Sequence, residues 1–165
     1  MTALAPIRYR SRPAGADVAA LARLVKVTKV FTREERAIAL ELLDERLARG
    51  RRSTYRFFFA ERRGELVGYC CWGRVPLTRR SFDLYWIAVA PQAEGQGIGQ
   101  ALMRLVERAL AGLGGGNLYI ETSSRRAYRR TRAFYRAAGY RQAARLRDFY
   151  APGDDKIVFC KAVRL

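Results

Sequence analysis

The stretch "PQAEGQGIGQALMRLVERAL", residues 91–110, joins an apolar run to an amphipathic helix through three closely spaced glycines, Gly95, Gly97 and Gly99. The preceding run, "SFDLYWIAVA" at 81–90, is typical of a central β-strand. The N-terminus of a helix offers unpaired N–H groups and partial positive charge, and glycine allows close backbone approach and positive φ. We therefore predict an anion-binding turn, suited to a pyrophosphate. A plain glycine-rich connection between strand and helix is the alternative.

Other glycine-rich phosphate sites match this stretch poorly. A Walker loop needs Gly-Lys-Ser/Thr, which the sequence lacks. A dinucleotide-binding fingerprint needs a glycine where Gln100 stands, and it follows the strand more tightly than residues 90–94 allow. The sequence therefore favours another kind of phosphate ligand.

Composition predicts one globular domain, residues 1–165, with 50% hydrophobic and 28% charged residues. The net charge is +17, from 32 Lys and Arg against 15 Asp and Glu. Most of the cations are arginines, which a GC-rich genome would produce without any binding role. A positive field that attracts nucleic acid or a phosphorylated cofactor is the alternative.

The chain has no histidine, which excludes Ser–His–Asp and Cys–His nucleophile systems and any site with a histidine metal ligand. Its three cysteines, Cys70, Cys71 and Cys160, lack metal-ligand spacing. We expect buried, inert thiols, no bound metal and a reducing cytoplasmic location. Neither a signal peptide nor a membrane span is expected, since charged residues interrupt every long apolar run.

Hydrophobic periodicity predicts the order β-α-α-β-β-β-α-β-α-β-β. Thr32 and Glu35 form a capping-box pattern at the start of the second helix. The predicted strands lie at 7–12, 55–61, 65–73, 81–90, 118–122, 140–150 and 155–163, and the helices at 16–31, 32–50, about 96–112 and 127–139. This order predicts an α/β (α+β) fold, with a mixed sheet of about seven strands flanked by about four helices. The fourth and fifth strands should be parallel, because a helix connects them.

Two segments together resemble the signatures of the GNAT superfamily of N-acetyltransferases. "LYWIAVAPQAEGQGIGQALMRLVE" (84–107) resembles its acetyl-CoA-binding motif, and "TRAFYRAAGYR" (131–141) its second signature. The two stand in the family's order and distance, and the strand series matches along almost the whole chain. The tail "RLRDFYAPGDDKIVF" (145–159) is more loosely similar to ribosomal-protein alanine N-acetyltransferases.

The resemblance implies a site for acetyl-CoA. The pantetheine arm would lie beside the fourth strand, and the Val89 N–H would point at the thioester carbonyl. Two positions depart from the family pattern, namely Glu94, where Arg or Gln is usual, and Tyr128, where an Asn often contacts pantetheine. The implied contacts are Ile87, Ala88 and Val89 with pantetheine, and Gly95, Gln96, Gly97, Ile98, Gly99 and Gln100 with the pyrophosphate.

Acyl transfer to an amine needs a base for the ammonium proton and an acid for the departing thiolate. Tyr135 stands where the family places its acid, and a phenol has a pKa close to that of an alkyl thiol. Packing against Phe134 is the alternative for this side chain.

Glu121 stands where the alanine N-acetyltransferases place their base. Burial in an apolar strand would bring the pKa of a carboxylate into a useful range. A salt bridge to an arginine is the alternative role for Glu121, and Asp83, Glu61 or a water chain are alternative bases.

Phe149 and Tyr150 are predicted to line the acceptor side, although their periodicity suits core packing equally well. Together these features predict an acetyl-CoA-dependent N-acetyltransferase that acts on a primary amine of a protein, peptide or small molecule, as a monomer or homodimer. A basic nucleic-acid-binding module, using "RRSTYRFFF" (51–59) and "SSRRAYRRTRAFYR" (123–136), is the alternative. An acetyltransferase acting on an RNA-associated target would combine both readings.

Overall fold

A computed structural model describes residues 5–165. Seven strands form one sheet in the order β1-β2-β3-β4-β5-β7-β6, and four α-helices accompany it. The strands are β1 Arg8–Arg10, β2 Tyr55–Arg62, β3 Glu65–Arg74, β4 Ser81–Val89, β5 Gly116–Ser123, β6 Arg141–Ala151 and β7 Asp154–Val163, and the helices are α1 Ala16–Val27, α2 Arg33–Arg49, α3 Ile98–Gly112 and α4 Arg129–Ala137. The predicted fold class is confirmed.

The sheet is mixed. The pairs β1–β2, β2–β3, β5–β7 and β7–β6 are antiparallel. By contrast, β4 and β5 are parallel, with a register from Ser81 opposite Asn117 to Leu84 opposite Ile120. The parallel pairing predicted for the fourth and fifth strands is therefore confirmed.

Two helices differ in length from the prediction. The first ends at Val27 instead of continuing to residue 31. The fourth begins later, because a short 3₁₀ turn at Arg126–Tyr128 precedes it. Helix ends of this kind depend on capping and packing that periodicity alone does not specify.

The described residues form two compact units, residues 5–73 with 86–106 and residues 74–85 with 107–165. The core of the first unit is built on β2 and β3, whose aromatic side chains Phe57, Phe59 and Tyr69 are fully buried. Gly68 allows α3 to approach β3 closely, since a Cβ there would lie 3.1 Å from Ile98 Cγ2. The start of α3 is thereby fixed against the strand.

The capping box at the start of α2 is present as predicted. The Thr32 N–H donates to Glu35 Oε2 at 2.7 Å, and the Glu35 N–H donates to Thr32 Oγ1 at 3.1 Å. Two N–H groups that the helix itself leaves unpaired are thus satisfied at its N-terminus.

The second unit packs β5 and β7 against α4 and the end of α3. Leu118, Ile120 and Phe159 are fully buried on one side of these strands. The Tyr140 hydroxyl donates to Glu107 Oε1 at 2.9 Å, and Lys161 Nζ donates to the same oxygen at 2.9 Å. The Glu107 carboxylate thus connects α3 to Lys161 of β7.

The three thiols match the interpretation as inert side chains. Cys70 and Cys71 are buried, and Cys160 is partly buried. Burial raises the pKa of Cys70 to about 12 and also raises the pKa of Cys71. Among residues 5–165, no helix is both long and apolar enough to cross a membrane.

Candidate active site

The glycine turn between β4 and α3 has the backbone conformation that the sequence predicts. Gly95 and Gly97 adopt φ values of 72° and 78°, a region that side chains with a Cβ rarely occupy. A Cβ added at either position would meet no heavy atom within 4 Å, so space lies open above both residues. Gly99, by contrast, lies in the first turn of α3. The turn therefore presents bare backbone at a helix N-terminus, as a phosphate site requires.

An arginine of the β2–β3 hairpin is hydrogen-bonded to this turn. Arg62 Nη2, at the end of β2, donates to Gln96 Oε1 at 2.5 Å, and Gln96 Nε2 donates to the Gln92 carbonyl at 3.1 Å. The first turn of α3 carries no acidic residue, and Glu94 precedes the glycines as an exposed side chain. Positive charge close to the turn offsets the negative charge of Glu94.

At the end of β4, one edge of the strand is hydrogen-bonded to β3 and the other edge faces away from β3. The Ala90 N–H donates to the Val67 carbonyl of β3 at 2.8 Å. Since successive N–H groups of a strand point to opposite edges, the Val89 N–H points away from β3. Ala88 is buried, while Ile87 and Val89 are partly buried. This orientation agrees with the role predicted for the Val89 N–H, which stays a prediction.

Tyr135 lies in α4 and is buried, with 4% of its surface exposed. Its ring centroid lies 5.6 Å from that of Phe134, 5.8 Å from that of Phe159 and 6.4 Å from that of Tyr140. The ring is therefore held rigidly in an aromatic cluster. Such packing is compatible with both predicted roles, the proton donor and the packed aromatic side chain.

Tyr128 lies just before α4 and is also buried. The guanidinium of Arg125 stands 5.3 Å from its ring centroid. Where the family pattern often has an Asn that contacts pantetheine, this chain therefore has a packed aromatic side chain.

Glu121 is exposed, so the expectation that it lies buried in an apolar strand is wrong. Its side chain is 52% exposed, and Oε2 lies 2.7 Å from Nζ of Lys156. Strand alternation explains the difference, because Ile120 and Thr122 face the buried side of β5 and Glu121 faces the other. The ion pair is with a lysine, not with one of the arginines expected.

Of the alternative bases, Asp83 has the more perturbed environment. Burial raises the pKa of Asp83 to about 6, the Glu121 carboxylate adds to the rise, and Lys156 opposes it. Asp83 lies opposite Tyr119 in the parallel register, which places it on the same face of the sheet as Glu121. Glu61, in the other unit, is paired with Arg10 at 2.6 Å.

Phe149 and Tyr150 are about half exposed, so the alternative of core packing is wrong. Leu146 lies opposite Lys156 and Ala151 opposite Asp154, so β6 bulges at residues 147–150, which we call the aromatic bulge. The two rings pack edge to face with centroids 5.0 Å apart. Every residue of β6 is exposed, so these two side chains lie on a strand that has no buried face.

Lys156, which no sequence pattern singled out, connects these residues. Its Nζ lies 3.8 Å from the centroid of the Phe149 ring and also contacts Glu121. We call Asp83, Glu121 and Lys156 the charged triad. Lys156 is one of two lysines, with Lys161, in the largely apolar pattern of 155–163, and this was the available signal. Its partner depends on the register of β5 and β7.

The segments proposed for nucleic-acid binding are largely used within the chain. Phe57 and Phe59 are buried, and Arg136 lies over the ring of Phe159. Arg125 pairs with Asp154, and Arg132 donates to the Ser123 carbonyl at 2.6 Å. Base stacking on these rings is therefore without structural support. No group of three or more Asp, Glu, Cys or His side chains suited to a metal ion occurs among the described residues.

Residues 53–142, more than half of the chain, match the family model described as an acetyltransferase (GNAT) domain. The chain belongs to the GNAT acetyltransferase family. A solved GNAT-family structure from Desulfovibrio desulfuricans is 40% identical and has a TM-score of 0.93, covering 96% of this chain and 99% of that one. The resemblance inferred from the two sequence signatures is thereby confirmed.

Two further solved N-acetyltransferase structures share the fold at lower identity. The ribosomal-protein-S18-alanine N-acetyltransferase of Escherichia coli is 19% identical with a TM-score of 0.75, covering 97% of this chain and 96% of that one. An aminoglycoside 6'-N-acetyltransferase complexed with coenzyme A is 18% identical with a TM-score of 0.75, covering 97% of this chain and 98% of that one. Coenzyme A is thus bound by a protein with this fold.

Among curated relatives, the mycothiol acetyltransferase of Streptomyces bingchenggensis is 36% identical over 81 residues. The match covers 49% of this chain and 26% of that protein. The chain thus matches only about a quarter of the length of this curated relative.

Proposed function

We propose that the chain is an acetyl-CoA-dependent N-acetyltransferase whose acceptor is a primary amine. The observation that carries this proposal is the glycine turn, in which Gly95 and Gly97 hold positive φ with open space above them at the start of α3. Family membership supplies the ligand class, since GNAT proteins are acetyltransferases.

The first unit would hold acetyl-CoA, which supplies the acetyl group as a thioester. The N–H groups from Gly95 to Gln100 would bind the pyrophosphate, where glycine lets the ligand come close to the main chain. Arg62 would fix the turn through Gln96 and add positive charge. Ile87, Ala88 and Val89 would line the pantetheine arm, with the Val89 N–H as donor to the carbonyl oxygen.

Tyr135 would donate its phenolic proton to the thiolate that leaves when the carbon–sulfur bond breaks. A phenol and an alkyl thiol have similar pKa values, so this proton transfer is nearly balanced. The surrounding rings of Phe134, Tyr140 and Phe159 support the role by restricting the Tyr135 side chain to one position.

Asp83 is the better supported base, and Glu121 is the second candidate. A base must be ionised to accept the ammonium proton and must have a pKa near the working pH, and the pKa of Asp83 is raised to about 6. Glu121 is more exposed and is engaged by Lys156. Once deprotonated, the amine nitrogen forms the new bond to the acetyl carbonyl carbon.

The test is acetyl-CoA binding by calorimetry, followed by an amine panel in which released coenzyme A thiol is measured. The panel should include a peptide with a free α-amine, a lysine side-chain analogue, an aminoglycoside and simple alkylamines. We expect saturable binding of acetyl-CoA and thiol release that depends on an amine. No heat with either acetyl-CoA or coenzyme A would overturn the proposal.

A further inference from the structure

Lys156 occupies a confined position between a carboxylate and an aromatic ring. Its side chain is only 13% exposed, and its Nζ lies 2.7 Å from Glu121 Oε2 and 3.8 Å from the Phe149 ring centroid. Lys156 lies opposite Ser123 in the β5–β7 register, so it shares the face of Glu121. Since the ammonium is enclosed in this way, it is poorly placed to bind a ligand itself.

The aromatic bulge is anchored beside Lys156 by its own hydrogen bonds. The N–H of Asp148 donates to Asp155 Oδ1 at 2.9 Å, and Arg145 Nε donates to Asp155 Oδ2 at 2.5 Å. Asp155 is itself buried and immediately precedes Lys156. The position of the Phe149 ring is therefore fixed by the side chain of Asp155 as well as by Lys156.

The charges that act on Asp83 do not balance. Glu121 and Lys156 are the charged groups that act on Asp83 from β5 and β7, and the phenol of Tyr119 lies beside Asp83 in register. On the β3 side, the Arg74 guanidinium lies over the Phe82 ring, and Phe82 faces the opposite side of β4 from Asp83. Two carboxylates and one ammonium thus leave one net negative charge when both acids are ionised.

We propose that Lys156 is a positioning residue that offsets one of the two carboxylates, so that the acceptor site selects amines with a single positive charge near the reacting nitrogen. The inference rests on the proposed function, because it concerns the acceptor site of that reaction. The exposed rings of Phe149 and Tyr150 add an apolar surface beside the charge. The acceptor class is therefore a primary monoamine with an apolar or aromatic group next to the amine.

A second ammonium close to the first finds no second net negative charge in the triad. The chain as a whole carries a net charge of +17, which adds long-range repulsion against a dication. Without the Lys156 ammonium, two carboxylates would face the acceptor, and a dication would be favoured. Lys156 therefore determines whether mono- or diamines are preferred.

The test compares n-butylamine with 1,4-diaminobutane, which differ by the second ammonium. The ratio of their kcat/KM values is measured at pH 8, above the raised pKa of Asp83, for the wild type, Lys156→Met and Lys156→Arg. We expect Lys156→Met to shift the ratio toward the diamine by about threefold to tenfold. Lys156→Arg, which keeps the charge, should leave the ratio within about twofold of the wild type.

Lys161→Met is the matched control. It removes another partly buried lysine of β7, whose partner is Glu107, at a Nζ–Oε1 distance of 2.9 Å. This variant should lose stability without changing the ratio. An equal effect of Lys156→Met on both amines would mean a purely structural role and would overturn the proposal.

A measurement without acetylation separates this proposal from the proposed function. In an NMR titration of the side-chain carboxyl groups, Lys156→Met should raise the titration midpoint of Asp83, because it removes a nearby positive charge. Lys156→Arg should leave the midpoint in place. An unchanged midpoint in Lys156→Met would overturn charge compensation even in an active enzyme. Failure of the proposed function appears elsewhere, as a wild type that binds no acetyl-CoA.

Discussion

Arg62 at the end of β2 donates a hydrogen bond of 2.5 Å to Gln96 in the middle of the glycine turn. The contact joins residues 34 positions apart and links a hairpin to the predicted phosphate site. Because the Arg62 guanidinium holds the Gln96 side chain, the turn has less conformational freedom. The turn is thereby partly organised before any ligand binds, which reduces the entropy lost on binding.

We predict that Arg62→Gln weakens acetyl-CoA binding by about tenfold, since it removes both this restraint and a positive charge near the phosphates. Calorimetry at ordinary salt measures the effect. Arg52→Gln is the control, because Arg52 is an exposed arginine of the same unit that lies outside the turn. Equal affinity in the two variants would argue against a role for Arg62.

Gly97→Ala tests the backbone conformation of the turn. Gly97 has a φ of 78°, and a Cβ would meet no neighbouring heavy atom, so any cost comes from the backbone and not from a clash. We expect a loss of about 1–2 kcal/mol in the free energy of unfolding or, where the turn relaxes, a similar loss in acetyl-CoA binding energy. Thermal unfolding and calorimetry distinguish the two outcomes.

Gly112→Ala is the matched control for this substitution. A Cβ at Gly112 also meets open space, but its φ lies outside the left-handed region and it ends α3. Alanine there should leave the free energy of unfolding unchanged or raise it by up to about 1 kcal/mol. Two equally harmful alanines would contradict the conformational argument.

Local signals predicted most of the fold. The capping box of Thr32 and Glu35 forms within four consecutive residues, and the glycine turn depends on residues next to one another. Periodicity likewise placed all seven strands, because the side-chain alternation of a strand is a local property. Such features do not depend on where distant segments lie.

The candidate site was harder to predict because its contacts are long-range. The pairing of Glu121 with Lys156 depends on the register of β5 and β7. The apolar neighbours of Glu121 suggested a buried carboxylate, whereas the side chain is exposed and paired with this lysine. Strand periodicity fitted Phe149 to the acceptor side and to the core equally well, and the side chain proved to be about half exposed in the bulge of β6. Asp148 has a φ of 51° within the bulge, and a single aspartate gives little local indication of that conformation.

Tyr135→Phe tests the proton donor. The phenyl ring preserves the packing with Phe134 and Phe159 and removes only the hydroxyl. We expect turnover to fall by about 10²- to 10⁴-fold, while acetyl-CoA affinity stays nearly unchanged. Rapid-quench kinetics with saturating acetyl-CoA measures the chemical step, and an unchanged rate would remove Tyr135 from the mechanism.

Tyr140→Phe is the control, because it removes the hydroxyl of a neighbouring ring in the same cluster. That hydroxyl donates to Glu107 at 2.9 Å, and Lys161 still pairs with Glu107 after the substitution. The free energy of unfolding should fall by about 1 kcal/mol, with little effect on turnover. The pair of variants separates loss of an acid from loss of cluster stability.

Asp83→Asn tests the base through the pH dependence of both rate and stability. Since the ionised carboxylate accepts the proton, and burial raises the pKa of Asp83 to about 6, kcat/KM should fall as the pH drops below about 6. Asp83→Asn should remove this limb of the profile and lower the rate at pH 7 by about 10²-fold or more. Asp44→Asn, at an exposed carboxylate of α2, should leave the profile unchanged.

The sign of the stability effect is opposite. A carboxyl whose pKa is higher in the folded than in the unfolded chain binds more protons when folded, so its contribution to stability falls as pH rises from about 4 to about 6. Asp83→Asn should therefore stabilise the chain at pH 7, by about 1 kcal/mol after allowance for its partial exposure. Urea unfolding at pH 4 and pH 7 measures the difference. Loss of activity together with a gain in stability is the result expected of a base whose burial destabilises the folded chain. A variant that loses both activity and stability at pH 7 would mean that Asp83 is a structural residue.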